Sequence, residues 1–308
     1  MQQTLWMGAV LLNFGRTINQ IRRDKNISVK ALTEDNVSRS TYTRFVEGNT
    51  DTSVTTFVEF LERLHVSFNE FLYIDNGYAP NEVDVVMAQM MTNLNQQKSD
   101  AMKQILDRLE VRAQFGGEKY HHLRDICSIL LSRMTQQPYN KAYLKELTDY
   151  LMSRYTWAHY ELVLFNSVMF AFPMAVVDAM SERALTNMDW YQHMHDYGME
   201  SFRVLVNIVI LYLNDKQLNK ALKLQGRMEQ YDIRPDMMFE KNALIYYRGL
   251  LKYLKGDETG KDEIHTSLKV FELLGLTDFY RGFKQYAEMI EKMYGLKSDT
   301  DESATQPH

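Results

Sequence analysis

From Val83 to Tyr294, apolar residues recur at helical spacing with almost nothing to interrupt them. "AMKQILDRLEV", "LRDICSILLSRM" and "AYLKELTDYLMSRY" each place one apolar stripe along a helix face. The 308-residue chain holds only five prolines and fourteen glycines. So few breakers disfavour a turn-rich β architecture, and an all-α fold is expected.

Within that run three segments share a pattern: "FNSVMFAF" at 165–172, "VNIVILYL" at 206–213 and "KNALIYYRGLL" at 241–251. Each sets an asparagine inside an apolar helix. Asn166, Asn207 and Asn242 stand 41 and 35 residues apart, near the length of one two-helix repeat. Phe170, Leu211 and Tyr246 follow four residues later, on the same helix faces. "YRGLLKYLKGDETGKDEI" looks like a tetratricopeptide unit, with Gly249 where two helices cross and Gly256-Asp257 at the turn. Stacked helix pairs form an α-solenoid with a concave wall. Carboxamides both donate and accept hydrogen bonds, as a peptide unit does. Three of them beside aromatic residues suit an extended hydrophobic peptide. The same asparagines would equally serve to bond neighbouring helix ends.

Residues 12–74 divide into five short helices. Ser28 and Ser38 stand as N-caps and Gly48 as a C-terminal stop. In "TSVTTFVEFLERLHV" the apolar face is expected to hold Val54, Phe57, Val58, Leu61 and Leu64. The third helix, "VSRSTYTRFVEG", is unusual because its outward residues are hydroxyls and guanidiniums. Net charge is −5, yet residues 12–45 carry seven basic residues against three acidic ones. A local basic patch with a polar helix face suits a helix entering the DNA major groove.

"DNGYAPNE" at 75–82 has strong turn signals and is expected to link a domain at 1–74 to a helical-repeat domain at 83–295. The polar tail 296–308 is expected to be disordered. Cys127 is the only cysteine, which excludes a disulfide framework and fits a buried, reduced thiol in the cytoplasm. No segment has the clean apolar length of a membrane span. The apolar "TLWMGAVLLNF" lacks a preceding basic stretch and a cleavage pattern, so it reads as a helical extension or as residues before a later start. "HH" at 121–122 and "HMH" at 193–195 lack metal-ligand spacing, and no Gly-rich nucleotide loop occurs. No metal, no cofactor and no enzymatic activity are expected.

Residues 14–72 resemble the phage-repressor-type (Xre) helix-turn-helix in "FGRTINQIRRDKNIS", "KAL", "VSRSTYTRFVEGNT", "SVTTFVEFLERLHV" and "FNEFL". The likeness is to the Rgg/MutR group of Gram-positive transcription regulators. Val29 departs from the glutamine many relatives carry, and Val46 separates Phe45 from Glu47. The resemblance implies that Arg39, Ser40, Thr41 and Arg44 face double-stranded DNA. It puts Ser38, Lys30 and Arg22 or Arg23 near phosphates. In that group the repeat domain binds a short signalling peptide and dimerises. "WAHYELVLFNSVMF" is similar to the group's Glu-x-x-Leu-(Phe/Tyr)-x-Asn segment. The implied peptide-binding residues are Arg154, Asn166, Asn207, Asn242, Tyr246 and Tyr247. A homodimer on a near-palindromic operator follows by the same resemblance. A protein-interaction scaffold, or a regulator that senses no peptide, stays open at this stage.

Overall fold

Serine hydroxyls open several of the N-terminal helices. In the computed structural model, which describes residues 13–34, 37–191, 194–231 and 233–296, Ser28, Ser38, Ser53 and Ser67 each accept a backbone N–H from three residues downstream. The apolar extension at 4–12, His193 and all of the tail after Leu296 lie outside the described residues. Among the described residues all regular structure is helical. By contacts the chain divides into two compact units, Met1–Thr92 and Asn93–His308.

The first unit contains α1 (Phe14–Asp24), α2 (Val29–Thr33), α3 (Arg39–Val46), α4 (Val54–Leu64) and α5 (Phe68–Asp75). It ends within α6 (Glu82–Asn95). Ile18, Ile21, Leu32, Tyr42, Phe45, Phe60, Leu64 and Phe71 form its core. Val54 and Val58 depart from expectation, being 80% and 44% exposed. The buried side of α4 runs through Phe57, Phe60, Leu61 and Leu64, so Phe60 takes the inward arc expected of Val58. Gly15 lets the backbones of α1 and α3 approach closely: a Cβ there would lie 2.1 Å from the Phe45 carbonyl oxygen.

The second unit contains α7 (Ser99–Phe115), α8 (Glu118–Met134), α9 (Lys141–Ser153), α10 (His159–Val168) and α11 (Met174–Tyr191). It continues with α12 (His195–Asn214), α13 (Leu218–Met228), α14 (Met238–Leu254), α15 (Thr259–Leu273) and α16 (Thr277–Tyr294). Most successive helices pack against one another. In addition α8 packs on α10, α10 on α12, α12 on α14 and α14 on α16. Direct neighbour contacts along one layer mark it as the shorter, inner wall of a stack. At the α14–α15 crossing, a Cβ on Gly249 would lie 2.7 Å from Gly260 O, and one on Gly260 would lie 2.3 Å from Gly249 O. Cys127 is buried; its Sγ lies 3.6 Å from Met102 O, and burial pushes its thiol up to about 12. No described helix is long and apolar enough to cross a membrane.

Candidate functional site

Helix α3 is held from beneath and open above. Tyr42 and Phe45 are buried against Phe60, with ring centroids 6.0 and 6.1 Å apart. The opposite side leaves Arg39, Ser40, Thr43 and Arg44 exposed. Ser38 Oγ accepts the Thr41 N–H at 3.1 Å and lies 2.9 and 2.8 Å from the hydroxyls of Ser40 and Thr41. This hydroxyl network fixes the first turn. Among the described residues neither Arg39 nor Arg44 has an ion-pair partner, so both guanidiniums are available to an anion.

Arg23 and Lys30 are exposed, on α1 and α2. Arg22 departs from expectation. It donates to Ile27 O at 2.6 Å and to Asn19 Oδ1 at 2.8 Å, and its Nε lies 3.3 Å from Tyr42 Oη. Tyr42 Oη also donates to Asn19 at 3.2 Å. Arg22 therefore braces α1, α3 and the turn after α1 through three of its five N–H groups. Thr43, which was not among the expected contacts, shares a face with Arg39, one turn away. Its hydroxyl donates to Arg39 O at 2.9 Å, which leaves its methyl group as the apolar element of that face.

The inner wall of the second unit holds a different constellation. Asn207 Nδ2 donates to Asn166 Oδ1 at 2.7 Å, and Asn166 Nδ2 donates to Glu200 Oε1 at 2.7 Å. Both asparagines are half-buried, tying α10 to α12. One turn before Asn207, Arg203 approaches Glu240 Oε1 of α14 at 3.6 Å. Half-buried Val206, Ile210 and Leu211 flank Asn207, and Leu244 and Ile245 lie on α14. The wall thus alternates apolar side chains with hydrogen-bonding groups.

The other peptide candidates lie elsewhere. Asn242 is buried between layers, donating to Ser267 O at 3.2 Å while Ser267 Oγ donates to Asn242 O at 3.2 Å. Tyr246 and Tyr247 are core residues. The Tyr246 hydroxyl donates to Phe283 O at 2.6 Å, and burial raises both phenols well above their ordinary range. These three are structural in this arrangement because their side of α14 faces α15 and α16. Arg154 sits over the Tyr150 ring at 4.5 Å and 3.9 Å from Glu118, a surface pairing. Away from the asparagine stripe, a cavity of about 290 Å³ is bordered by Asp178, Tyr212, Lys220 and Arg227. Asp178 is already engaged by Tyr212 at 3.0 Å and Lys220 at 2.6 Å, and Glu182, also in the lining, lies 4.0 Å from Arg227. No cluster of metal-ligating side chains occurs among the described residues.

The sequence profile of the family described as "HTH-type transcriptional regulator Rgg, C-terminal domain" matches residues 103–285, more than half of the chain. The chain belongs to the Rgg family. That membership makes it a transcription regulator rather than an enzyme. Solved structures share the fold of this Rgg chain at low identity. A protein described as a transcriptional regulator from Listeria monocytogenes EGD-e superposes with TM-score 0.81 at 18% identity, covering 92% of this chain and 99% of that one. The Streptococcus dysgalactiae SHP pheromone receptor Rgg2 gives 0.74 at 18% identity over 90% and 99%. PrgX in complex with cCF10 gives 0.72 at 17% identity over 91% and 93%. The all-α architecture of helix-turn-helix and helical repeats is thereby that of this group.

Proposed function

We propose that this Rgg protein is a cytoplasmic homodimer that binds operator DNA through α3 and is governed by a short hydrophobic peptide held on the inner wall of its repeat unit. The observation that carries the DNA reading is the open face of Arg39, Ser40, Thr43 and Arg44 on a capped, core-anchored helix. In the major groove, each arginine presents a planar pair of donors to a guanine edge, worth about 1–3 kcal/mol of discrimination. The Thr43 methyl suits a thymine methyl. Ser38, Ser40, Thr41, Lys30 and Arg23 hold phosphates, which fix register without reading sequence.

A dimer offers two recognition helices about 34–36 Å apart, so the operator is near-palindromic. For the peptide, support comes from the half-buried Asn166 and Asn207 among Val206, Ile210 and Leu211. Further support is the fold shared with a pheromone receptor and with PrgX in its cCF10 complex. A peptide that prefers one curvature of the helix stack shifts the population of dimers whose recognition helices match that spacing.

The test is selection of bound duplexes from a random pool by the full chain, at fixed and stated salt because phosphate affinity depends on it. A near-palindromic sequence should emerge. An unenriched pool refutes the DNA reading.

A further inference from the structure

We propose that Glu240 anchors a primary ammonium of the peptide, either its free amino terminus or a lysine side chain. This deepens the peptide reading above and rests on it.

Glu240 stands in the first turn of α14 with its side chain 3% exposed. Its Oε1 is buried and, among the described residues, accepts no hydrogen bond. The Arg203 nitrogen at 3.6 Å is too far to donate one. A buried carboxylate oxygen without a donor is costly. The positive end of α14 offsets part of that cost but places no donor on Oε1. An ammonium supplies three donors and no acceptor, which is the complement this oxygen lacks.

The neighbours provide a route for the exchange. Arg203 is half exposed, and Glu200 lies one turn earlier on the same face of α12. Arg203 can therefore leave Glu240 for Glu200 without losing a counter-ion. Glu200 is the acceptor of Asn166, which in turn accepts from Asn207. Drawing Glu200 toward Arg203 frees the Asn166 amide N–H for a peptide carbonyl, while the Asn207–Asn166 bond stays in place. The cation at α14 and the backbone contact at α10 are thus linked through two side chains, Arg203 and Glu200.

The test offers the full chain four synthetic pools of random octapeptides, all built without arginine and histidine. The pools combine a free or acetylated amino terminus with the presence or absence of lysine, and retained peptides are read by mass spectrometry. Wild type should retain the acetylated, lysine-free pool about tenfold less than the best ammonium-bearing pool, as expected for a lost charge-assisted hydrogen bond. The two single-ammonium pools tell which source is used. Glu240→Gln should retain all four alike. Arg203→Ala, a change at a half-exposed site, should sharpen the preference for ammonium, and it serves if Glu240→Gln fails to fold. Equal retention of all pools by wild type, or an ammonium preference surviving in Glu240→Gln, overturns the proposal and leaves peptide binding standing. No retention from any pool removes the peptide reading itself.

Discussion

Asn207 donates to Asn166 across the α10–α12 contact at 2.7 Å, a side-chain bond between residues 41 apart in sequence. Asn166 passes the interaction on to the Glu200 carboxylate. A neutral hydrogen bond contributes about 1 kcal/mol net, and one to a charged acceptor about 1.5–3 kcal/mol. Asn207→Ala should therefore cost about 1 kcal/mol in urea unfolding and Asn166→Ala somewhat more. The double variant should be hardly worse than Asn166→Ala alone, because the two changes share one bond. Fully additive losses would show that the pair does not exist in solution.

Arg39 and Arg44 should separate binding from stability. Arg39→Ala and Arg44→Ala are expected to change unfolding free energy by less than about 0.5 kcal/mol, since both side chains are exposed. Affinity for the selected duplex should fall by about 1–3 kcal/mol for each lost base contact. Arg22→Ala should do the reverse: about 1–3 kcal/mol of stability lost with its part-buried hydrogen bonds, and DNA affinity reduced only as the fold is. Melting curves beside fluorescence anisotropy distinguish the two patterns.

One substitution made at two glycines should act with opposite signs. Gly15→Ala forces a methyl carbon into the Phe45 carbonyl and should cost about 1–3 kcal/mol or more. Gly226→Ala, inside α13, meets nothing within 4 Å and should gain about 0.5–1 kcal/mol from helix propensity. Thermal unfolding of the two variants checks both signs.

His122 predicts an acid weakness. It is 1% exposed, with Nδ1 2.8 Å from Tyr160 Oη and its ring 4.3 Å from that of Tyr150. Burial holds its imidazole below the usual 6.5, against the pull of Glu118 and Glu146. The unfolded chain protonates near 6.5 and the folded one only at lower pH. The contribution of His122 is thus complete above 6.5 and is lost as pH falls through the folded value. The stability gap between wild type and His122→Gln should narrow on acidifying from about pH 7.5 to about pH 5. A gap independent of pH would contradict the assignment.

Caps and faces were the legible part of this protein. Ser28 and Ser38 announced helix starts because their hydroxyls compete for backbone N–H groups. Gly249 announced a crossing because its missing side chain lets two helix backbones approach; that Gly260 lies opposite it was not legible in the sequence. The polar face of α3 was readable because only Tyr42, Phe45 and Val46 within the helix are apolar or aromatic. Periodicity does not say which neighbour a face meets. Asn166 and Asn207 point along the inner layer, whereas Asn242 points between layers. Three similar sequence contexts thus conceal two different roles. Arg22 eludes a sequence reading for a related reason: its partners Ile27 and Tyr42 come together only after the chain turns.

The glycine-to-glycine crossing of α14 and α15 has a mechanical corollary. Two backbones in near contact have no side-chain cushion between them, so that joint resists bending. The α10–α12 contact is held differently, by polar side chains that bridge the helices. A ligand reaching from α10 to α14 would therefore join a seam closed by exchangeable side-chain bonds to a helix locked against its neighbour by backbone packing.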